Sequence, residues 1–216
     1  MKQIIFIIGS LREKSFNRQL AKMAEEFLKD RFEISYLDFE EIPFMNQDLE
    51  IGHQTEQQSH FTEDGELQNS RHRFLDETHD SQIKAKQLYI TKIRQKIQKC
   101  DGIWIFTPEY NRSYPGLLKN LFDWLSRPMD VSNFANPTAV QGKKVTVSGA
   151  GGKNKTKSCR EKLNELLEYI KMDVMKEPQT GIELGLEAWV KGEFSLTEEQ
   201  TKQLKEQTDR FAEFIG

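Results

Sequence analysis

The sequence has few cysteines and no long apolar run, and both absences narrow the class of protein. Only Cys100 and Cys159 occur in 216 residues, and neither has a second thiol nearby. This excludes a CxxC redox pair and a cysteine-rich zinc site, so we expect both thiols to be reduced and structural. No stretch is long enough to span a membrane, and the apolar opening at 4–8 is too short for a signal peptide. We expect a cytoplasmic protein with no membrane partner.

An excess of charge of one sign is also lacking. Thirty-one basic and 34 acidic side chains leave a net charge of −3. The chain has no excess of basic residues that would bind a nucleic acid, so a small-molecule ligand is favoured. The length suits one domain spanning residues 1–216.

Strands and helices are predicted to alternate along the chain. β-branched and apolar runs predict five strands, at 3–8, 33–37, 103–107, 145–148 and 172–176. Helical spacing of apolar residues predicts helices at 17–29, 83–99, from Pro115 onward, at 156–171, and at the C-terminus after a capping box formed by Thr197 and Gln200. Strict alternation implies parallel pairing through right-handed crossovers, hence a doubly wound α/β sheet in a three-layer αβα sandwich.

One polar segment, at about 47–81, interrupts this alternation. It has few residues able to form a core and would be an unusually long loop within a domain. We interpret it as an insertion that leaves the carboxyl end of the second strand, where it acts either as a lid or as an arm onto a second subunit. Composition leaves these two roles open.

Three loops leave the ligand-binding edge of this predicted sheet. In the first, Ser10, Arg12, Ser15 and Asn17 stand at the start of a helix, whose free N–H groups and partial positive charge suit an anion. Helix capping alone explains Ser15 or Asn17, but not all four together. The loop lacks a GxGxxG pattern, so we predict a single phosphate rather than a pyrophosphate.

The second and third loops offer surfaces for a planar ring. Pro108 and Pro115 fix the backbone around Glu109, Tyr110 and Asn111, although a plain proline turn explains the spacing equally well. The third loop, residues 148–152, contains Ser148, Gly149 and Gly151 and leaves the backbone open to close approach.

Two motifs resemble those of the NAD(P)H-dependent FMN reductase family, a flavodoxin-like group that includes quinone, azo-dye and chromate reductases. The segment GSLREKSFN, residues 9–17, is similar to the family's GSxRxxSxN phosphate loop. The segment PEYNRSYPGLLKNLFDWLSRP, residues 108–128, is similar to its flavin-ring loop and following helix. The resemblance covers the chain apart from the insertion and implies a flavodoxin-like sheet of order 2-1-3-4-5.

The resemblance also implies a cofactor, a reaction and an assembly. FMN is held at its phosphate by Ser10, Arg12, Ser15 and Asn17, and its ring is bordered by Pro108, Glu109, Tyr110, Asn111, Ser148, Gly149 and Gly151. NADPH or NADH gives a hydride to the flavin and is then replaced by a small acceptor: a quinone, free flavin, azo dye or metal oxyanion. No catalytic side chain is expected, and a homodimer or homotetramer is implied, with residues 115–126 as a contact face.

Two features leave alternatives open. Arg112 beside the ring loop either receives an anionic substrate or points into solvent. The four histidines, all in the insertion, match no standard zinc spacing, so we expect no metal site. A non-enzymatic FMN carrier or a redox-responsive binding protein is the alternative function.

Overall fold

The computed structural model describes residues 1–50, 70–130 and 133–216, with residues 70–79 described by their backbone alone. The strands are β1 (Lys2–Ile8), β2 (Phe32–Tyr36), β3 (Gly102–Phe106), β4 (Lys144–Gly151), β5 (Asp173–Met175) and β6 (Gly181–Glu183). The helices are α1 (Phe16–Leu28), α2 (Ser70–Lys99), α3 (Gly116–Leu125), α4 (Lys157–Tyr169), α5 (Leu186–Lys191) and α6 (Glu198–Ile215), with a 3₁₀ turn at Gln47–Leu49.

All strand pairs of the described sheet are parallel, and their order is β2-β1-β3-β4-β5. The second half of β4 pairs with β6 instead of β5, so two short strands share the last position. Ile8 pairs with Phe106, and Phe106 pairs with Ser148. The loops that follow β1, β3 and β4 therefore leave the sheet at one level of its carboxyl edge.

Each face of the sheet carries its own core, because successive side chains of a strand point to opposite faces. Ile5 and Ile7 of β1 face a cluster to which α2, α3 and α4 contribute. Ile4, Phe6 and Ile8 face the cluster of α1, α5 and α6. The predicted flavodoxin-like three-layer fold is thus confirmed, with helices covering both faces.

Three details of the sequence prediction need correction. Residues 70–81 belong to α2 and are not a loop; the apolar periodicity begins only at Ile83, and the first buried residue described in α2 is Ile90. A helix can extend beyond its core-facing turns, where periodicity gives no signal. The sheet has a sixth strand, β6, and the chain a further short helix, α5, both too short to show a pattern. Residues 51–69 of the predicted insertion lie outside the described residues.

Within the described part of the chain, no helix is long and apolar enough to cross a membrane. No cluster of three or more potential metal ligands occurs there either. The side chains of all four histidines, at 53, 60, 72 and 79, lie outside the description, so the expected lack of a metal site stays a prediction.

Candidate active site

The three predicted loops meet in one cleft at the carboxyl edge of the sheet. We name it the three-loop cleft; it has a volume of about 120 Å³. Its walls are Ser10, Arg12, Ser15, Phe16, Asn17, Pro108, Glu109, Tyr110, Ala150, Gly151, Gly152 and Trp189. Larger grooves lie elsewhere on the surface, but neither the one beside α5 and α6 nor the one beside Phe134 and Tyr169 gathers these loops.

The first loop prepares a site for an anion. Ser15 is the N-cap of α1, and its hydroxyl accepts a hydrogen bond from the Arg18 backbone N–H at 3.3 Å. Ser10 and Ser15 are buried, while Arg12 is exposed at the rim with its guanidinium 4.5 Å from the Phe16 ring centroid. Arg12 donates to the Lys14 carbonyl and has no carboxylate partner among the described residues. Its positive charge is therefore available at the mouth of the cleft.

Asn17 joins the first loop to the third. Its carboxamide oxygen accepts from the Ala150 N–H at 2.8 Å, and its Nδ2 donates to the Ala150 carbonyl at 3.2 Å. This two-point contact fixes the start of α1 against the end of β4. Asn17 is thus largely engaged in joining two walls of the cleft.

Glu109 ties the second loop to the amino end of α4. Its carboxylate accepts from the Cys159 backbone N–H at 3.0 Å and from Asn154 Nδ2 at 3.0 and 3.1 Å. Thr156, the N-cap of α4, makes no side-chain capping bond, so Glu109 supplies the acceptor that this helix end needs. A negative charge there is also favoured by the helix dipole.

The tip of the second loop is a tight hairpin turn. Tyr110 and Ser113 exchange two backbone hydrogen bonds, of 3.0 and 2.9 Å. The residues between them, Asn111 and Arg112, have φ of 51° and 57°, as a type I′ turn requires. This places Asn111 in the turn rather than in the wall of the three-loop cleft. Arg112 is exposed at the same tip.

In the third loop, Gly149 and Ser148 do not line the cleft but support the residues that do. A Cβ on Gly149 would come within 2.2 Å of Thr156 Oγ1 and 2.5 Å of the Thr107 carbonyl oxygen, so only glycine fits. Ser148 is fully buried and bonds Trp104 and Gln207. Gly151 and Gly152 both form part of the cleft wall, and a Cβ on Gly152 would meet nothing within 4 Å.

Several residues that build this site were not predicted from the sequence. Gln207 of α6 is fully buried; its Oε1 accepts from the Ser148 hydroxyl at 2.8 Å and from the Thr180 N–H at 2.6 Å. Its Nε2 donates to Thr146 Oγ1 at 2.9 Å and to the Val147 carbonyl at 3.1 Å. The Thr180 carbonyl in turn accepts from Gly149 N–H. In the sequence, the sign of this role was a glutamine at a core-facing position of α6.

Burial controls the reactivity of a thiol near the cleft. Cys159 lies under the second loop, 3.5 Å from Thr107 Oγ1. Loss of hydration raises the pKa of its thiol to about 11, against a smaller opposing effect of the Thr107 hydrogen bond. The thiol is protonated near neutral pH, so no activated nucleophile is offered here.

The cleft fits a phosphate monoester that carries a planar group. Two buried hydroxyls, the N–H groups of a helix start and an arginine suit the phosphate. A glycine turn and Tyr110, whose side chain is 55% exposed, suit a flat ring. FMN combines these two features, a phosphate monoester and a planar ring.

Comparison with known proteins identifies relatives of the chain. The chain is 28% identical over 99% of its length to a 2-hydroxy-1,4-benzoquinone reductase from a Burkholderia species, covering 96% of that protein. It is 27% identical over 98% of its length to a quinone reductase from Pseudomonas putida, covering 94% of that protein. A flavoenzyme NAD(P)H:(acceptor) oxidoreductase, FerB, from Paracoccus denitrificans has a similar fold, with a TM-score of 0.73, 24% identity and coverage of 100% of this chain and 97% of that one.

The model of the NADPH-dependent FMN reductase family matches residues 2–187, which include all three loops that form the cleft. The chain therefore belongs to the NADPH-dependent FMN reductase family and is an FMN-dependent NAD(P)H oxidoreductase.

Proposed function

We propose that this enzyme transfers electrons from NADPH or NADH to a small quinone by two successive exchanges at one FMN. FMN supplies reversible acceptance of a hydride, so donor and acceptor can use the same site in turn. The observation that carries the proposal is the convergence of an anion-binding helix start, a tyrosine loop and a glycine turn in one cleft. Quinone is the favoured acceptor because the relatives similar over almost their whole length are named quinone reductases; free flavin, azo dyes and metal oxyanions remain as alternative acceptors.

In this proposal, Ser10, Ser15 and the first N–H groups of α1 hold the FMN phosphate. Arg12 moves from the Lys14 carbonyl to the phosphate, exchanging a neutral acceptor for a charged one. Asn17 keeps the glycine turn at the right distance through its contact with Ala150.

Around the ring, the proposed roles are mainly positional. Pro108, Tyr110 and Gly151 border the isoalloxazine, and Glu109 holds their loop against α4. Asn111 shapes the hairpin turn of the second loop. Ser148 and Gly149 support the third loop without lining the cleft. Because the Glu109 carboxylate already accepts from Cys159 and Asn154, it orients rather than removes a proton. We assign no catalytic side chain, since hydride transfer needs none.

We further propose a single-domain, cytoplasmic homodimer or homotetramer. The three-loop cleft, at about 120 Å³, is smaller than the roughly 300 Å³ or more of typical cofactor sites. A second subunit that covers the exposed part of the ring supplies the missing wall. The apolar side of α3, including Leu118, Phe122 and Leu125, is buried within its own chain, so its polar side is the part left for a contact.

The test is steady-state oxidation of NADPH and of NADH by FMN-loaded protein with 1,4-benzoquinone as acceptor. We expect turnover that requires both FMN and quinone. Arg12→Ala should weaken FMN binding about tenfold or more, as loss of a charge-assisted bond does. The matched control is Lys22→Ala, which removes an exposed cation from α1 outside the cleft.

Two results would contradict the proposal. Unchanged FMN affinity in Arg12→Ala would show that Arg12 does not bind the phosphate. Tight FMN binding without turnover by any acceptor would instead support an electron carrier.

A further inference from the structure

Trp189 of α5 forms part of the three-loop cleft although it belongs to none of the three loops. It also lies beyond residue 187, where the family match ends. The chain's other tryptophans, Trp104 and Trp124, are 0% and 1% exposed, whereas Trp189 is 51% exposed. Trp189 is thus a half-exposed aromatic residue in the cleft wall, and its indole N–H has no hydrogen-bond partner in the described ranges.

The position of this indole is set by the helix that carries the phosphate loop. Trp189 meets Phe16, the first residue of α1, edge to face with ring centroids 5.2 Å apart. Phe16 also contacts Phe194 edge to face at 6.0 Å and lies beneath the Arg12 guanidinium. Trp189 is therefore held beside Phe16, on the side of the cleft that the first loop forms.

Polar contacts fix α5 in this place. Gln19 of α1 donates to the Gly192 carbonyl at 2.8 Å and accepts from the Phe194 N–H at 3.3 Å. Gly192, with φ of 74°, ends α5 in the left-handed conformation that glycine adopts readily. These contacts hold the short helix against α1, so the Trp189 ring is prepositioned before any ligand arrives.

From this arrangement we propose that Trp189 contacts bound FMN at its phosphate end and forms a fourth wall of the site; the inference rests on the proposed function. The indole offers one N–H donor and a broad apolar face, a combination suited to a surface with one polar and one apolar side. Covering the phosphate excludes water from its contact with Arg12, and charge interactions strengthen where water is excluded. Trp189 thereby favours a flavin that carries a phosphate over one that does not.

The test compares FMN with riboflavin, which lacks the phosphate, in titrations of flavin-stripped protein. The variants are Trp189→Ala and Trp189→Phe, with Val190→Ala as the matched control, since Val190 is 78% exposed on the same helix and outside the cleft. We expect Trp189→Ala to weaken FMN about tenfold, as loss of an aromatic contact and a donor does, and riboflavin less than about threefold. Trp189→Phe should recover part of the FMN affinity, and Val190→Ala should match the wild type.

A second measurement needs no variant and so does not depend on variant folding. N-bromosuccinimide oxidises exposed tryptophans, and mass spectrometry locates the product. We expect Trp189 to be oxidised in stripped protein and protected by FMN, while Trp104 and Trp124 stay unmodified in both states.

Three outcomes would overturn the inference alone: FMN affinity in Trp189→Ala equal to that in Val190→Ala, equal weakening of FMN and riboflavin, or oxidation of Trp189 unchanged by FMN. Failure of the wild-type chain to bind any flavin would overturn the proposed function as well. The two failures are thus distinguishable.

Discussion

At the residue scale, Glu109 shows how one side chain can serve a site without reacting. The sequence places it in the second loop, and we expect it to position the flavin rather than to act as a base. Its actual partners are the Cys159 N–H and the Asn154 amide at the start of α4. Because the Glu109 carboxylate already binds a helix end, Glu109 contributes to the geometry of the loop.

We expect Glu109→Ala to lower the free energy of unfolding by about 1–2 kcal/mol, as removal of a helix-capping acceptor does. Glu109→Gln should cost less, because its amide oxygen can still accept from the Cys159 N–H. Urea unfolding of both variants measures the effect.

The control for this change is Glu161→Gln, which alters an exposed carboxylate on α4 whose ion pair with Lys157 spans 3.8 Å. A surface pair of this kind contributes little. Equal destabilisation in Glu109→Ala and Glu161→Gln would show that Glu109 does not cap α4.

At the scale of elements, α6 supports a site that it does not touch. The side chain of Gln207 connects three neighbouring residues of β4, Thr146 to Ser148, with Thr180, which precedes β6. The two halves of β4 have different partner strands, and Gln207 lies where the partner changes. The glycine turn of the cleft depends on this junction through the bond from Gly149 N–H to the Thr180 carbonyl.

Gln207→Leu should therefore destabilise the protein by about 2–4 kcal/mol, because several buried polar groups lose their partner together. FMN affinity should fall too, since the glycine turn loses its anchor. Urea unfolding and FMN titration measure the two effects.

Gln203→Leu, one turn earlier on α6 at an exposed position, is the matched control. It should leave both quantities near the wild-type values. If Gln207→Leu behaved in the same way, the junction would have no bearing on the site.

Elements with a strong local pattern were predictable from the sequence. The buried run of β1 and the capping box of Thr197 and Gln200 both appear in the structure as expected. The strand β6 and the helix α5 were missed because three and six residues are too few to show a period. The loops of the cleft could be named, but the contacts of Asn17, Glu109 and Gln207 could not, because each joins segments that are distant in the chain.

At the scale of the whole molecule, the reactivity of each cysteine measures how well a different part of the fold is shielded from solvent. Cys100 lies at the end of α2, and Cys159 lies in α4 beneath the cleft; both are buried. Burial raises the pKa of each thiol from its ordinary value of 9.0 to about 11. The unfolded chain thus releases these protons at lower pH than the folded one, so their contribution to stability is lost as the pH rises from 9.0 to about 11.

Alkylation by iodoacetamide tests this directly. At pH 8 we expect both native thiols to react at least about a hundredfold more slowly than in urea, because the thiolate is scarce and shielded. Mass spectrometry separates the two sites, and the urea-unfolded chain is the control. Labelling of Cys159 at the unfolded rate would show that the second loop opens readily.

The contact between Asn17 and Ala150 has a consequence for biosynthesis. It joins residues 133 positions apart, and the cleft also draws on Trp189 near the end of the chain. The first loop thus leaves the ribosome long before the other residues that line the cleft. We expect nascent chains that stop before β4 to lack most of the cleft wall and to bind no flavin, so flavin binding begins late in synthesis.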